Sequence, residues 1–199
     1  NPEIAVHTIL FRSQNSFAPN LRVPPFDDIN VRRAMQMALD TETVVATFWK
    51  GEADATPFGW QGVKGYHIPF EEWDEEVKQY YRYDPEAAEK LLDEAGYPRG
   101  ADGTRFKTVL SHGQNSVLDF SEIAVAYWAE IGVDVEIEVV TNAEFQEMKG
   151  RTNEGMISSI GGSLYDPVAF VGHLRSDSTL NFWLHQWPEL DAMVDAALT

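Results

Sequence analysis

Apolar residues recur at Val31, Met35, Ala38 and Leu39, spaced i, i+4, i+7 and i+8, while Arg32, Arg33 and Gln36 fall off that face. The spacing predicts an amphipathic helix over Asn30 to Leu39. Pro24 and Pro25 make a rigid turn before it, and Asp27 or Asp28 can accept from the free N–H groups of its first turn. Asp40 stops this helix and can cap a second one over Thr41 to Lys50, with Val44, Val45 and Phe48 inward and Gly51 as its stop. A third helix starts at the cap Asp84, with Pro85 at its first position, Glu86 in its first turn and Gly96 after its end. Its inward face is Ala88, Leu91, Leu92 and Ala95.

From Val117 to Ile131 the pattern changes. Phe120, Ile123, Ala124, Tyr127, Trp128 and Ile131 cover much of the girth, which predicts a deeply buried helix. Ser116 with Asp119 can cap it. Shorter helices are expected at Ala143 to Lys149 behind Thr141 or Asn142, at Pro167 to His173, and at Pro188 to Leu198, the last with Leu190, Met193, Val194 and Ala197 inward. Strict alternation of Val133, Val135, Ile137 and Val139 with Asp134, Glu136 and Glu138 predicts a half-buried strand. Ile4 to Phe11, Phe106 to His112 and Met156 to Ile160 also read as strands. Arg12 to Val23, polar and holding Pro19 and Asn20, reads as a loop. So does Gly51 to Phe70, with four glycines and two prolines. Strands that alternate with helices indicate an α/β domain layered around a sheet.

Charge narrows the partners. The chain carries 15 basic and 32 acidic residues, net -17, which repels phosphate backbones and anionic membranes and argues against nucleic-acid binding. Five carboxylates lie between Glu71 and Glu76 around Trp73; without the spaced oxygens and Gly turn of a calcium loop, they read as a solvated face. With no Cys there is no disulfide, thiol nucleophile or thiolate metal site. No apolar run reaches the roughly 18 residues of a membrane span. The chain opens Asn1-Pro2-Glu3 without an initiator Met or an apolar leader, which either mature processing or a cut from a longer protein would explain.

Gly161 to Asp166 is the best place for binding chemistry. Gly161 and Gly162 follow a predicted strand and let the backbone approach a ligand, while Ser163, Tyr165 and Asp166 add hydroxyl and carboxylate groups. Asp166 can equally cap the helix opening at Pro167. In the long loop, Phe58 and Trp60, with Tyr66 and His67, can supply apolar surface beside a ligand or pin the loop to the core. The strand-end stretches His112 to Asn115 and Arg12 to Asn15 are weaker candidates. Enzyme signatures are missing. His7, His67, His112, His173 and His185 have no metal spacing, and there is no Gly-x-Ser-x-Gly elbow or phosphate-binding Gly-Lys-Ser/Thr loop. Acidic residues are plentiful, yet no pair is singled out for glycosidase chemistry.

Three stretches carry a resemblance. They are Pro25 to Asp28 with Val31 to Ala34 and Ala38 to Asp40; Tyr83 to Ala87 with Leu91-Leu92, Glu94 to Tyr97 and Gly100; and Tyr165 to Pro167 with Asn181, Trp187 to Glu189 and Asp191. In this order they resemble the later half of family 5 extracellular solute-binding proteins, the peptide- and nickel-type receptors of ABC importers. The resemblance implies a periplasmic-binding-protein-like lobe, a mixed sheet flanked by helices, with residues 1–199 forming the C-terminal lobe of a two-lobe receptor. It implies a small-molecule or peptide solute held in the inter-lobe cleft, ABC permease subunits as partners and a monomer, and it is compatible with peptides, oligosaccharides, opines and chelated metals; no cofactor and no metal-ligating residue of this chain is expected. The place implied is the periplasm or the extracellular space, with a lipid anchor on the full-length form left open. In peptide-binding members, the segment before the Asp-Pro carries a Trp and an Asp, and that Asp pairs with the peptide's α-amino group. Those places hold Ile160 and Ser163 here, which leaves oligosaccharides and other neutral polar solutes open. A ligand-sensing domain of a regulator is the alternative from a different class.

Overall fold

The computed structural model describes residues 15–55, 57, 65, 68–114, 118–148, 153–160 and 172–197. Its centre is a four-stranded mixed sheet of β1 (Asn15–Pro19), β2 (Phe106–Gly113), β3 (Val133–Val140) and β4 (Met156–Ile160), in the order β1-β4-β2-β3. Strand β2 runs parallel to both β3 and β4, and β1 is antiparallel to β4. The stretch expected as a loop therefore contains an edge strand. Nothing in Asn-Ser-Phe-Ala-Pro alternates strongly; β4 makes it a strand, with Phe17 opposite Ser158 and Ala18 opposite Ile157. The strand expected at Ile4 to Phe11 lies outside the described residues.

The helices begin where their caps dictate. Asp28, not Asp27, caps α1 (Ile29–Met37), its Oδ1 accepting from Asn30 N at 2.7 Å. Asp40 caps α2 (Thr41–Thr47) through Thr43 N at 2.9 Å. This helix stops short of Lys50 because Lys50 and Gly51 both take positive φ, and Gly51 N returns to Val45 O at 2.9 Å. In the acidic run, Asp74 caps α3 (Glu75–Lys78), and the buried Lys78 donates to Glu71 O at 3.0 Å. The carboxylates are exposed as expected, but the run is a capped turn folded round one lysine. Asp84 caps α4 (Pro85–Glu94), accepting from Ala87 N at 2.9 Å.

Both faces of the sheet are covered. On one, α1, α4 and α5 (Leu118–Glu130) pack Val31, Ala34, Met35, Ala88, Leu92, Ala124 and Trp128 onto Leu110, Val133, Val135 and Met156. On the other, Phe145 of α6 (Asn142–Met148) meets Ala18, Val140 and Ile157, with Phe182 and Trp183 beside them. Three expectations need correction. Helix α5 is not buried all round: Ser121, Ala124 and Trp128, which face the sheet and α1, are buried, while Phe120, Ile123 and Tyr127 are half-buried. Alternation in β3 also ends early. Val139 is 55% exposed and Val140 is buried, because α6 covers the opposite face at that end of the strand. The last helix, α7 (Pro188–Ala197), buries Val194 alone of its expected face; Met193 is 70% exposed.

An ion-pair knot closes the amino end of β2. The Arg105 side chain is only 2% exposed and donates to Glu89 at 2.8 Å, to Asp93, to Tyr97 O at 2.7 Å and to Ile131 O at 2.9 Å. Arg99 joins through Glu89 at 2.9 Å and Glu130 O at 2.7 Å. Arg105→Met leaves two carbonyls and two carboxylates short of their donor and is expected to cost about 3 kcal/mol in urea unfolding. Hydrogen bonds from Arg99 and then Arg105 hold the Glu89 carboxyl down at about 2. Its folded pKa is depressed, so its contribution is present in full above its ordinary value, near 4.5, and is lost as pH falls toward 2. The urea midpoint should drop between pH 5 and pH 2.5, and Glu89→Gln should flatten that drop.

Candidate functional site

The topology gathers three separate stretches at one edge. Strands β2, β3 and β4 are parallel, so Gly113, Val140 and Ile160 end on the same side of the sheet. Because β1 is antiparallel, its first residue, Asn15, lies there too, opposite Ile160. The carboxyl edge of parallel strands is where open α/β sheets bind ligands, since the loops leaving it carry no ladder bonds and are free to contact solute. The strand ends that adjoin the three candidate stretches therefore lie on one side: Asn15 at the start of β1, Gly113 at the end of β2 and Ile160 at the end of β4.

The side chains proposed from sequence are not themselves placed. Phe58, Trp60, Gly161, Gly162, Ser163, Tyr165 and Asp166 lie outside the described residues, as do Tyr66, His67, Arg12 and Asn115. So does the helix expected from Pro167, apart from its end at Gly172 and His173. Of the weaker candidates, Gln114 is exposed and its N–H donates to Val140 O at 3.1 Å, joining the ends of β2 and β3. The neighbouring turn is a capping box: Thr141 N donates to Glu144 at 2.9 Å and Thr141 Oγ1 at 2.8 Å, which lowers the Glu144 pKa.

His112, expected on a ligand-facing loop, is buried at 2% exposure, with Nδ1 3.0 Å from Ser121 Oγ of α5. Ser121 and Ser158 share this face and are also buried. Sequence reasoning passed over both serines. The signal for Ser121 was its place three residues before Ala124 and seven before Trp128, on the inward stripe. For Ser158 it was a polar residue, next to Ser159, inside a strand that begins and ends on apolar residues. At the amino end of β4, Asn20 donates to Asn153 O at 2.6 Å and its N–H to Gly155 O at 2.9 Å. Arg22 donates to Leu184 O at 2.7 Å, which fastens the segment before α7 to the turn that follows β1. Among the described residues no three His, Asp or Glu gather as metal ligands, and no helix is long and apolar enough to cross a membrane.

The sequence profile described as bacterial extracellular solute-binding proteins, family 5 Middle, matches residues 6–182. The chain belongs to solute-binding protein family 5. Heme-binding protein A of Haemophilus influenzae is 28% identical over 193 residues, covering 90% of this chain and 32% of that protein. The dipeptide-binding protein of Escherichia coli is 27% identical over 162 residues, covering 79% of this chain and 28% of that protein. Solved structures agree in fold. A nickel ABC transporter protein from Bacillus halodurans superposes with TM-score 0.77 at 20% identity, over 94% of this chain and 40% of that one. The periplasmic binding protein DppA of Helicobacter pylori, in complex with the peptide STSA, gives 0.74 at 21% over 92% and 35%. The chain spans about a third of the length of these curated relatives. Family 5 is a family of binding proteins rather than enzymes, and its solved members share this mixed α/β lobe.

Proposed function

We propose that this chain is the C-terminal lobe of a two-lobe receptor. In this reading the receptor binds a peptide or another small polar solute in the cleft between its lobes and presents it to the permease of an ABC importer. The observation that supports the reading is that the strand ends adjoining the three candidate stretches share the carboxyl edge of the sheet in a chain that matches family 5. On this reading Gly161 and Gly162 give close backbone approach, Ser163, Tyr165 and Asp166 hydrogen-bond the solute, and Phe58 and Trp60 cover its apolar part. Closure follows from tighter binding to the closed state, to which each lobe contributes one wall. Export beyond the cytoplasmic membrane is implied by the same reading.

The test is a thermal-shift screen of the full-length protein against peptides, oligosaccharides, heme and nickel chelates, the classes named for its relatives or left open by Ser163. A solute at about 100 times its Kd stabilises the native state by about 2.7 kcal/mol. Asp166→Ala and Trp60→Ala should each remove most of that shift while leaving the solute-free melting temperature within a few degrees. No shift from any class, or an unchanged shift in both variants, would overturn the site. The lobe expected here is also a folded monomer: light scattering on the 199-residue chain should give 22.4 kDa with a cooperative unfolding transition.

A further inference from the structure

Two buried polar atoms at the functional edge lack a protein partner among the described residues: His112 Nε2 and Ser158 Oγ. They are neighbours. Ser111 of β2 pairs with Ile157 of β4 in parallel register, so His112 and Ser158 stand one step further along, side by side on the same face. Both are under one-tenth exposed. On the far side of Ser158, β1 places Phe17, which stacks on Phe120 of α5 at 5.3 Å and meets Trp128 edge-on at 5.0 Å. The walls on that side are aromatic and offer no hydrogen bond to the serine.

Burying a hydroxyl and an imidazole nitrogen without partners costs far more than the net gain of an ordinary hydrogen bond, so native interiors satisfy such atoms. The two side chains do not bond each other directly. We propose that His112 Nε2 and Ser158 Oγ together hold one ordered water, which ties the end of β2 to the end of β4. Water suits this pair because it both donates and accepts. Ser121 Oγ occupies Nδ1, and whichever tautomer that bond selects, Nε2 is left as a donor or an acceptor that water can match. The bridge sits one residue before Gly113 and two before Ile160, so it sets the spacing of the two loops that leave those strands. His112 is thus a positioning residue rather than a solute contact. The loop-spacing role rests on the binding reading given above; the water site does not.

The experiment has two arms, both on the full-length, solute-free protein. A crystal structure fine enough to show waters should reveal one within about 3.2 Å of both atoms. In thermal unfolding, His112→Leu and Ser158→Ala should each lower the melting temperature by about 2–4 °C, since each strands a polar partner. The double variant should fall no further than the worse single, because it removes both ends of the bridge together. Density that joins Nε2 to a side chain, or a dry contact between the two residues, would overturn the site, and so would losses that simply add. If the binding reading alone fails, the solute screen is silent while the water and the non-additive melting temperatures remain.

Discussion

Replacing Trp128 by Ala is expected to cost about 3–5 kcal/mol, the range for deleting a large buried aromatic from a packed core. Trp128 is 2% exposed and sits where α5, α1 and β1 meet. Its ring packs edge-on against Phe17, which in turn stacks on Phe120. It also carries a polar duty. At the end of α1 the Met35 carbonyl belongs to the last turn, where Leu39 N bonds to Gln36 O instead, and Trp128 Nε1 donates to Met35 O at 2.9 Å. Alanine removes both the volume and the donor. Trp128→Phe keeps most of the volume and should cost less, about 1–2 kcal/mol, chiefly for the stranded carbonyl. Urea unfolding of the three proteins separates the two contributions. Equal losses for Ala and Phe would mean that the hydrogen bond, not the packing, dominates.

The second large effect is expected at Gly155, where Ala should cost about 3 kcal/mol or more. A Cβ built there lies 2.3 Å from Val109 O, 3.0 Å from Thr108 Oγ1 and 3.2 Å from the Val109 carbonyl carbon. Overpacking usually costs about 1–3 kcal/mol because side chains can move aside. Here the obstacle is the backbone of a central strand, and Gly155 O is itself held by Asn20 N at 2.9 Å. The residue is clamped between β2 and the end of β1. Relief requires β4 to shift away from β2, which would displace the start of Gly161 to Asp166. Gly155→Ala should therefore lower both the urea midpoint and the solute affinity of the full-length protein. A loss below about 1 kcal/mol would show that β4 can slide freely, and the spacing argument at this edge would then fail.

The helix starts were legible because capping is local. Asp28, Asp40 and Asp84 each bond an N–H two or three residues on, and the sequence holds both partners within one turn. The Gly96 stop, at φ 87, follows from the same short-range logic. Family membership was legible through Pro25 to Asp28, Tyr83 to Pro85 and Tyr165 to Pro167, and the matched profile covers all three stretches. The candidate side chains lie outside the described residues, and for Gly161 to Asp166 the fold supplies the strand end, Ile160, from which that stretch continues. At the end of a strand, His112 reads from sequence as a candidate on the following loop, and nothing local signals that α5 covers it with Ser121.

By itself the sequence determined the α/β class, the capped helices α1, α2 and α4, the strands β2 and β3, and an acidic, cysteine-free composition. Tertiary structure alone decided that Asn15–Pro19 is a strand, that Val139 faces outward and Val140 inward, and that His112 stands beside Ser158. The physical reason is range. Caps and amphipathic spacing are satisfied by residues within a turn or two, whereas a strand's partner and the layers over its faces lie beyond that range and can come from more than a hundred residues away: Ala18 meets Ile157, and Asn20 meets Asn153.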